Sequence, residues 1–322
     1  MAKQKIRKYL HILFTIGFLV CALLLVNDLY YQPYRMNQLN DQTKDLYIKP
    51  SEAPVNTYPS PTDNTPTGNS IRDEQGRLIY FKELLEKNPD TIGWLNIPDT
   101  NIDYVVMQNN QSPLYYLRKN FNKEYQRAGC LFLDENSTIE GSPSNMVIHG
   151  HNMRSTNNMF HYLEFMRKLD YFKEHTSFHF DTIYQTGQWK IFSIFITNGS
   201  NKIEPYFDYS KTTFPDSSDF LNFIYQLKIR SLYHNDSVKI NENDQLVTLS
   251  TCIYDLDDYR LVIVARKERP SEDSYVDPTQ ITMNPSPLYP NSYYKHYKKQ
   301  APTIPATFEE AQAQGMINWY DN

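Results

Sequence analysis

Sorted into apolar and polar positions, the chain shows one long apolar run, a polar stretch, and then a succession of short apolar pieces. Residues 9–26 are apolar apart from His11 and Thr15. A run of about 18 residues is long enough to cross a bilayer as a helix. Residues 27–47 are polar and rich in Tyr, and predict a helix rising from the membrane surface. Pro50, Pro54, Pro59, Pro61 and Pro66, set among Ser, Thr and Asn, predict a stiff extended linker. Near Ile79 the pattern changes. Residues 80–87 read as a short amphipathic helix stopped by Asn88-Pro89-Asp90. Strand-like pieces follow at 93–97, 102–107, 129–133, 146–148, 189–197, 238–240, 246–252 and 260–265. Turn signals such as Pro98-Asp99-Thr100 and Ser142-Pro143-Ser144 separate them. Helices are expected at 160–175, with Leu163, Met166, Leu169 and Phe172 inward, and at 218–231. Many short strands with a few inserted helices predict a mostly β fold, a closed or nearly closed barrel.

Composition adds order and a sidedness. With 26 Tyr, 17 Phe and only 10 Gly, the chain is not built for wholesale disorder. The formal charge is -5, yet Lys3, Lys5, Arg7 and Lys8 crowd the start, so the remainder is more acidic than that figure. An acidic remainder argues against a nucleic-acid partner, which requires a basic face. Basic residues before the apolar run and Asp28 after it place residues 1–8 in the cytoplasm and the bulk of the chain outside. A cleaved signal peptide would offer small residues after the run, which Val26-Asn27-Asp28 does not. A lipoprotein would carry its Cys just beyond the apolar core; Cys21 lies within it. Residues 9–26 therefore read as an uncleaved anchor in the lipid bilayer.

The chemistry centres on two strand ends. Cys252 closes the piece 246–252, and Arg260 opens the next across a polar loop that holds Asp255, Asp257 and Asp258. A thiol at a strand end is held by the sheet and open to substrate, and a nearby guanidinium favours a thiolate or a developing oxyanion. The plainer alternative is a small buried hydrophobe beside a solvated edge residue. The second end is Met146-Val147-Ile148-His149-Gly150-His151, where the chain must bend at Gly150. A cysteine nucleophile needs a group to exchange protons with, and His is the usual one. A metal site would draw on His149 with His151, or His175 with His179, but no carboxylate or second thiol stands at ligand spacing and Cys130 is isolated.

Thr248-Leu249-Ser250-Thr251-Cys252, with an Arg opening the next strand, resembles the signature of the sortase family, and Gly150-His151 is similar to its histidine motif. Asn88-Pro89-Asp90-Thr91-Ile92-Gly93-Trp94-Leu95, Ile97-Pro98, Ile102-Asp103-Tyr104, Tyr116-Leu117 with Asn120-Phe121, Gly129 to Asp134 and Met159-Phe160 resemble class B members. So does the helical insertion before Leu246. The likeness covers about residues 78–267. It implies a sortase-like closed β-barrel of about eight strands and a membrane-anchored cysteine transpeptidase of a Gram-positive surface. Cys252 would form a thioester with a sorting signal, His151 would exchange protons with the leaving and incoming amines, and Arg260 would hold substrate and oxyanion. Ser250, Thr251, Leu117 and Tyr209 occupy positions matching substrate-lining residues. Class B relatives read signals resembling NPQTN. Neither metal nor cofactor is implied; partners would be surface proteins bearing a sorting signal, and an amine of peptidoglycan or a pilin. With ordinary pKa values, about 1% of molecules at pH 7 would pair thiolate with imidazolium, which predicts slow turnover.

Three features depart from that pattern. Ile253 and Tyr254 follow Cys252 where an acid is common, the first carboxylate being Asp255. Cys130 stands where a small residue is commoner and is expected as a core thiol. The third is a tail rich in Pro and Tyr. The expected layout is a cytoplasmic segment 1–8, an anchor 9–26, a stalk and linker 27–77, a catalytic domain 78–267 and an extension 268–322. The extension, with a short helix expected at 308–319, is either disordered or docked on the barrel through its aromatics. A cysteine protease that only hydrolyses, and an inactive surface scaffold, remain as alternative activities.

Overall fold

The computed structural model describes residues 2–47, 71–202 and 204–321. The Pro-rich linker expected around Pro50 to Pro66 lies outside the described residues. Helices α1 (Ala2–Val26) and α2 (Gln32–Lys44) are joined by one five-residue π-turn, Asn27–Tyr31, into a continuous rod. The rod is long and apolar enough to cross a membrane. Its second half packs against the barrel. Met36, Thr43 and Tyr47 are buried against the barrel, a stripe at helical spacing hidden among polar residues. Tyr47 stacks on Trp94 at 4.8 Å, and its hydroxyl donates to Asp181 at 2.5 Å. Lys44 pairs with Asp103 at 3.2 Å.

Beyond α3 (Lys82–Lys87) come β1 (Thr91–Asn96), β2 (Asp103–Met107), β3 (Leu131–Leu133), β4 (Asn145–His149), the short β5 (Asn152–Met153) and β6 (Asn158–Met159), and α4 (Leu169–Glu174). Then follow β7 (Ser177–Thr182), β8 (Gln188–Asn198), α5 (Ser217–Arg230), β9 (Tyr233–Asn235), β10 (Leu246–Ile253) and β11 (Tyr259–Lys267). Eight strands close in the order β1-β2-β3-β4-β10-β11-β8-β7. Closure leaves no free edge to pair with another chain. The strands are buried nearly throughout because the barrel interior covers one face and helices and loops cover most of the other. The expected barrel of about eight strands is what forms. Two pairings are parallel, β2 with β3 and β4 with β10. The second matters most: parallel neighbours end at the same rim, so the ends of β4 and β10 meet.

Several local expectations are corrected. The helix expected at 160–175 is a 3-10 stretch, Phe160–Arg167, and then α4, with Lys168 extended between them. Leu163, Met166 and Phe172 face inward as expected, while Leu169 is half-buried. The strand expected at 238–240 is absent; Val238 and Ile240 are buried without a ladder, and Tyr233–Asn235 forms the strand instead. A short apolar run reports burial, not conformation. Strand β7 is not among the expected pieces.

The extension is docked. Strand β12 (Ile281–Met283) pairs with β9, and α6 (Asn291–Tyr297) and α7 (Phe308–Ala313) follow. Val276, Ile281, Phe308, Ala311 and Trp319 join the core, and Tyr225 and Gln226 of α5 donate to the carbonyls of Pro305 and Ala306. Helix α7 is shorter than the expected 308–319; Gly315, in the left-handed region at φ +70°, lies where it ends.

Candidate active site

Strands β10 and β11 pair in antiparallel register with Cys252 opposite Arg260. Directly opposed residues point to the same face with Cβ atoms about 5 Å apart. Cys252 is half-buried near the end of β10. The connecting turn is made possible by Asp258, which adopts a left-handed conformation at φ 58° that Asp tolerates better than most residues. Asp258 also pairs with Arg260 at 3.3 Å. The guanidinium lies over Gly199, where a Cβ would sit 2.8 Å from Arg260 Cζ.

His151 is delivered by the other strand end. In the parallel pair, His149 lies beside Ser250, the Gly150 amide donates to the Ser250 carbonyl at 3.2 Å, and Thr251 Oγ1 donates to the Gly150 carbonyl at 2.7 Å. Gly150 is required there: a Cβ would stand 2.5 Å from Leu131 and 2.7 Å from the Phe160 ring. The next residue is thereby carried to the same rim as Cys252. The Phe160 amide fixes the His151 carbonyl at 2.9 Å. The ring is set by Leu117, whose carbonyl lies 3.1 Å from Nε2. A carbonyl only accepts, so Nε2 carries hydrogen and Nδ1 is the nitrogen left to exchange a proton. Burial pushes the imidazole pKa below its ordinary value, and the Arg118, Arg127 and Arg260 charges push the same way, against the Leu117 hydrogen bond. The ring is thus held neutral near pH 7.

Asn152 went unnoticed in the sequence. Buried one residue beyond His151, it donates from Nδ2 to the Cys252 carbonyl at 3.1 Å and to Glu164 at 2.9 Å. Its Oδ1 lies 2.8 Å from His161 Nδ1, and its carbonyl accepts from the Tyr254 hydroxyl at 3.1 Å. One side chain therefore ties the His151 strand to the Cys252 strand. No motif marks it; only its place beside His151 could have drawn attention.

The other candidates divide. Ser250 Oγ and the Tyr209 hydroxyl are hydrogen-bonded to each other at 2.9 Å, both buried, and Thr251 is committed to Gly150. The side chains of these three are engaged in internal bonds. Half-buried Leu117 supplies the carbonyl that orients His151. Asp255, the first carboxylate after Cys252, is engaged by Arg167 at 2.5 and 3.1 Å. Among the described residues, no carboxylate hydrogen-bonds to His151. His149 pairs with Asp134 at 2.9 Å, and His175 stacks on Tyr171 at 4.0 Å. Among the described residues, no group of three or more His, Cys, Asp or Glu is placed to hold a metal ion. Cys130 is buried and unpaired, and burial pushes its thiol up to about 12.

The sortase domain family matches residues 95–268. The chain is 32% identical over 195 residues to sortase B of Listeria monocytogenes, covering 61% of this chain and 73% of that protein. It is 29% identical over 188 residues to sortase B of Staphylococcus aureus, covering 58% and 73%. Sortase B from Bacillus anthracis in complex with AAEK1 superimposes with a TM-score of 0.60 at 25% identity, over 74% of this chain and 99% of that one. The Staphylococcus aureus sortase B–substrate complex superimposes with a TM-score of 0.54 at 29% identity, over 60% and 86%.

Proposed function

This chain belongs to the sortase family, as a class B cysteine transpeptidase, and from that premise we propose that Cys252, His151 and Arg260 carry its acyl transfer. The observation that supports this reading is that two strand ends share one rim, Cys252 standing opposite Arg260 and the parallel β4–β10 pair ending at His149, two residues before His151. The Cys252 thiolate attacks the backbone carbonyl carbon of a sorting signal, and the Arg260 guanidinium faces the oxyanion that forms. The C–N bond breaks as imidazolium Nδ1–H protonates the departing amine, leaving a thioester on Cys252 and a neutral ring. The incoming amine gives a proton to Nδ1 and attacks the thioester carbonyl. The C–S bond breaks, the new amide leaves, and thiolate and imidazolium return. Every proton released in one half is used in the other.

Turnover by this route is slow. The imidazolium that must protonate the leaving amine is a minority species, because burial and three arginine charges disfavour it. We place residues 9–26 in the bilayer with the N-terminus cytoplasmic and the barrel outside, where substrates bearing a sorting signal and cell-wall amines are found. The acceptor is a primary amine of peptidoglycan or of a pilin Lys.

The test is incubation of the full chain in nanodiscs with a sorting-signal peptide, with and without an amine such as triglycine. Peptide–amine conjugate and a mass shift on Cys252 are expected. Cleavage at an unchanged rate with no conjugate would make the protein a hydrolase. Equal cleavage by Cys252→Ala would remove Cys252 from the chemistry.

A further inference from the structure

The sortase domain match ends at residue 268, yet the segment beyond it returns to the rim that carries Cys252. Pro290 leads into α6, and the amides of Asn291 and Ser292 donate to the two Glu204 carboxylate oxygens at 2.9 and 2.8 Å. Ser292 Oγ lies 2.6 Å from the Tyr259 hydroxyl. Tyr259 is buried, precedes Arg260 in the chain, and pairs with Ile253 on one side and Asn198 on the other. The loop before Glu204 is held as well: Asn198 Nδ2 donates to the carbonyls of Ser200 and Glu204 at 2.8 and 3.2 Å. Gly199 and Ser200 in that loop form the wall behind the guanidinium. The Gly199 amide donates to the Asp258 carbonyl at 2.6 Å, Ser200 Oγ donates to the Asp258 carboxylate at 2.5 Å, and Asp258 pairs with Arg260.

These contacts form an unbroken path from the C-terminal extension to the Arg260 side chain. A guanidinium on a long stem gives up rotamer freedom when fixed, and a misplacement of about 1 Å in a reacting constellation can cost about a hundredfold in rate. A wall that fixes Arg260 before substrate arrives removes part of both costs. We propose that Glu204 and Ser292 are positioning residues for Arg260, and that α6 braces the catalytic rim from outside the matched domain. This rests on the acyl-transfer reading above, in which Arg260 faces the oxyanion.

The test is a double-mutant cycle in the full chain, with conjugate formation, KM and melting temperature as readouts. Glu204→Gln turns one accepting oxygen into a donor facing an amide, and Ser292→Ala removes the Tyr259 contact. Each is made alone and together with Arg260→Lys. The expected result is a fall in kcat of about tenfold for Glu204→Gln with KM changed less than about twofold. In the Arg260→Lys background the further fall should be under about twofold, because the group being positioned is gone. Glu204→Asp, which keeps both acceptors, should recover part of the rate. A merely structural role would multiply with Arg260→Lys instead, and that outcome overturns the proposal. So does a kcat within twofold of the parent for both Glu204→Gln and Ser292→Ala. A slowed Arg260→Lys beside an unaffected Glu204→Gln strikes the brace alone. An unchanged Arg260→Lys removes Arg260 from the chemistry and the brace with it.

Discussion

Replacing Glu272 by Gln removes the negative charge on which two buried cations depend. Arg266 is almost wholly enclosed, with 1% of its side chain exposed, and Lys190 has 4%. Arg266 donates to Glu272 at 2.6 and 2.8 Å, Lys190 sits 3.0 Å away, and the Arg269 amide adds a bond at 2.9 Å. Burial raises the Glu272 carboxyl, but these donors outweigh it and hold it at about 2, against 4.5 ordinarily. At 1.36 kcal/mol per unit this corresponds to ~3 kcal/mol of folding stability, which the wet part of the carboxyl reduces to about 2 kcal/mol. The folded value lies below the unfolded one, so the contribution is complete above about pH 4.5 and vanishes as pH falls through about 2. Urea or thermal unfolding followed by circular dichroism should show Glu272→Gln melting about 4–8 °C lower at pH 7. The gap should shrink by more than half by pH 3. A gap under about 1 °C, or one independent of pH, would refute the view that the first turn of the extension anchors the barrel.

Other substitutions probe the site directly. Asn152→Ala frees the Cys252 carbonyl, and kcat/KM for conjugate formation should fall about tenfold or more; a value within twofold of the parent contradicts the tie between the strands. Gly199→Ala places a methyl group against the flexible ends of Arg260 and Asp258, so kcat should drop by a similar factor with the melting temperature nearly unchanged. Arg118→Gln with Arg127→Gln removes two charges that hold the His151 pKa down. The acid limb of kcat/KM against pH should then move to higher pH, and movement the other way would show the sign to be wrong. In the barrel, iodoacetamide at pH 8 should label Cys252 and spare Cys130, whose buried thiol stays protonated well past that pH; peptide mass spectrometry distinguishes the two.

Much of this site was legible before any coordinates. Leu246 to Cys252 and Arg260 to Ala265 announce two strands because β-branched and aliphatic residues in short runs fit a pleated, half-buried surface. Gly150 announced a bend, and its reason is now visible in the Phe160 ring that leaves no room for a Cβ. Other features were hidden for equally physical reasons. Met36 and Thr43 are spread thinly through a polar helix and Tyr47 follows it, and the burial of Tyr47 depends on Trp94 and Phe81, residues remote in the chain. Val238 and Ile240 are as apolar as any strand residue, but their neighbour is the tail, with the Ile240 amide donating to the Trp319 carbonyl. Asp255 stands near Cys252 in sequence and pairs with Arg167 in space. Asn152 carries no pattern at all.

Sequence by itself determined most of the barrel strands, several of the turns, and the inventory of residues with reactive side chains at strand ends, Cys252, His151 and Arg260 among them. These follow from side-chain shape, spacing and intrinsic reactivity, which are properties of a few adjacent residues. Tertiary structure alone decided which of them meet. The parallel β4–β10 pairing brings the strand ends that lead to His151 and Cys252 to one rim, the Leu117 carbonyl occupies one nitrogen of the His151 ring, and the extension settles against the loop beside Arg260. Each depends on atoms far apart along the chain, whose encounter is fixed by closing the barrel and not by any local preference.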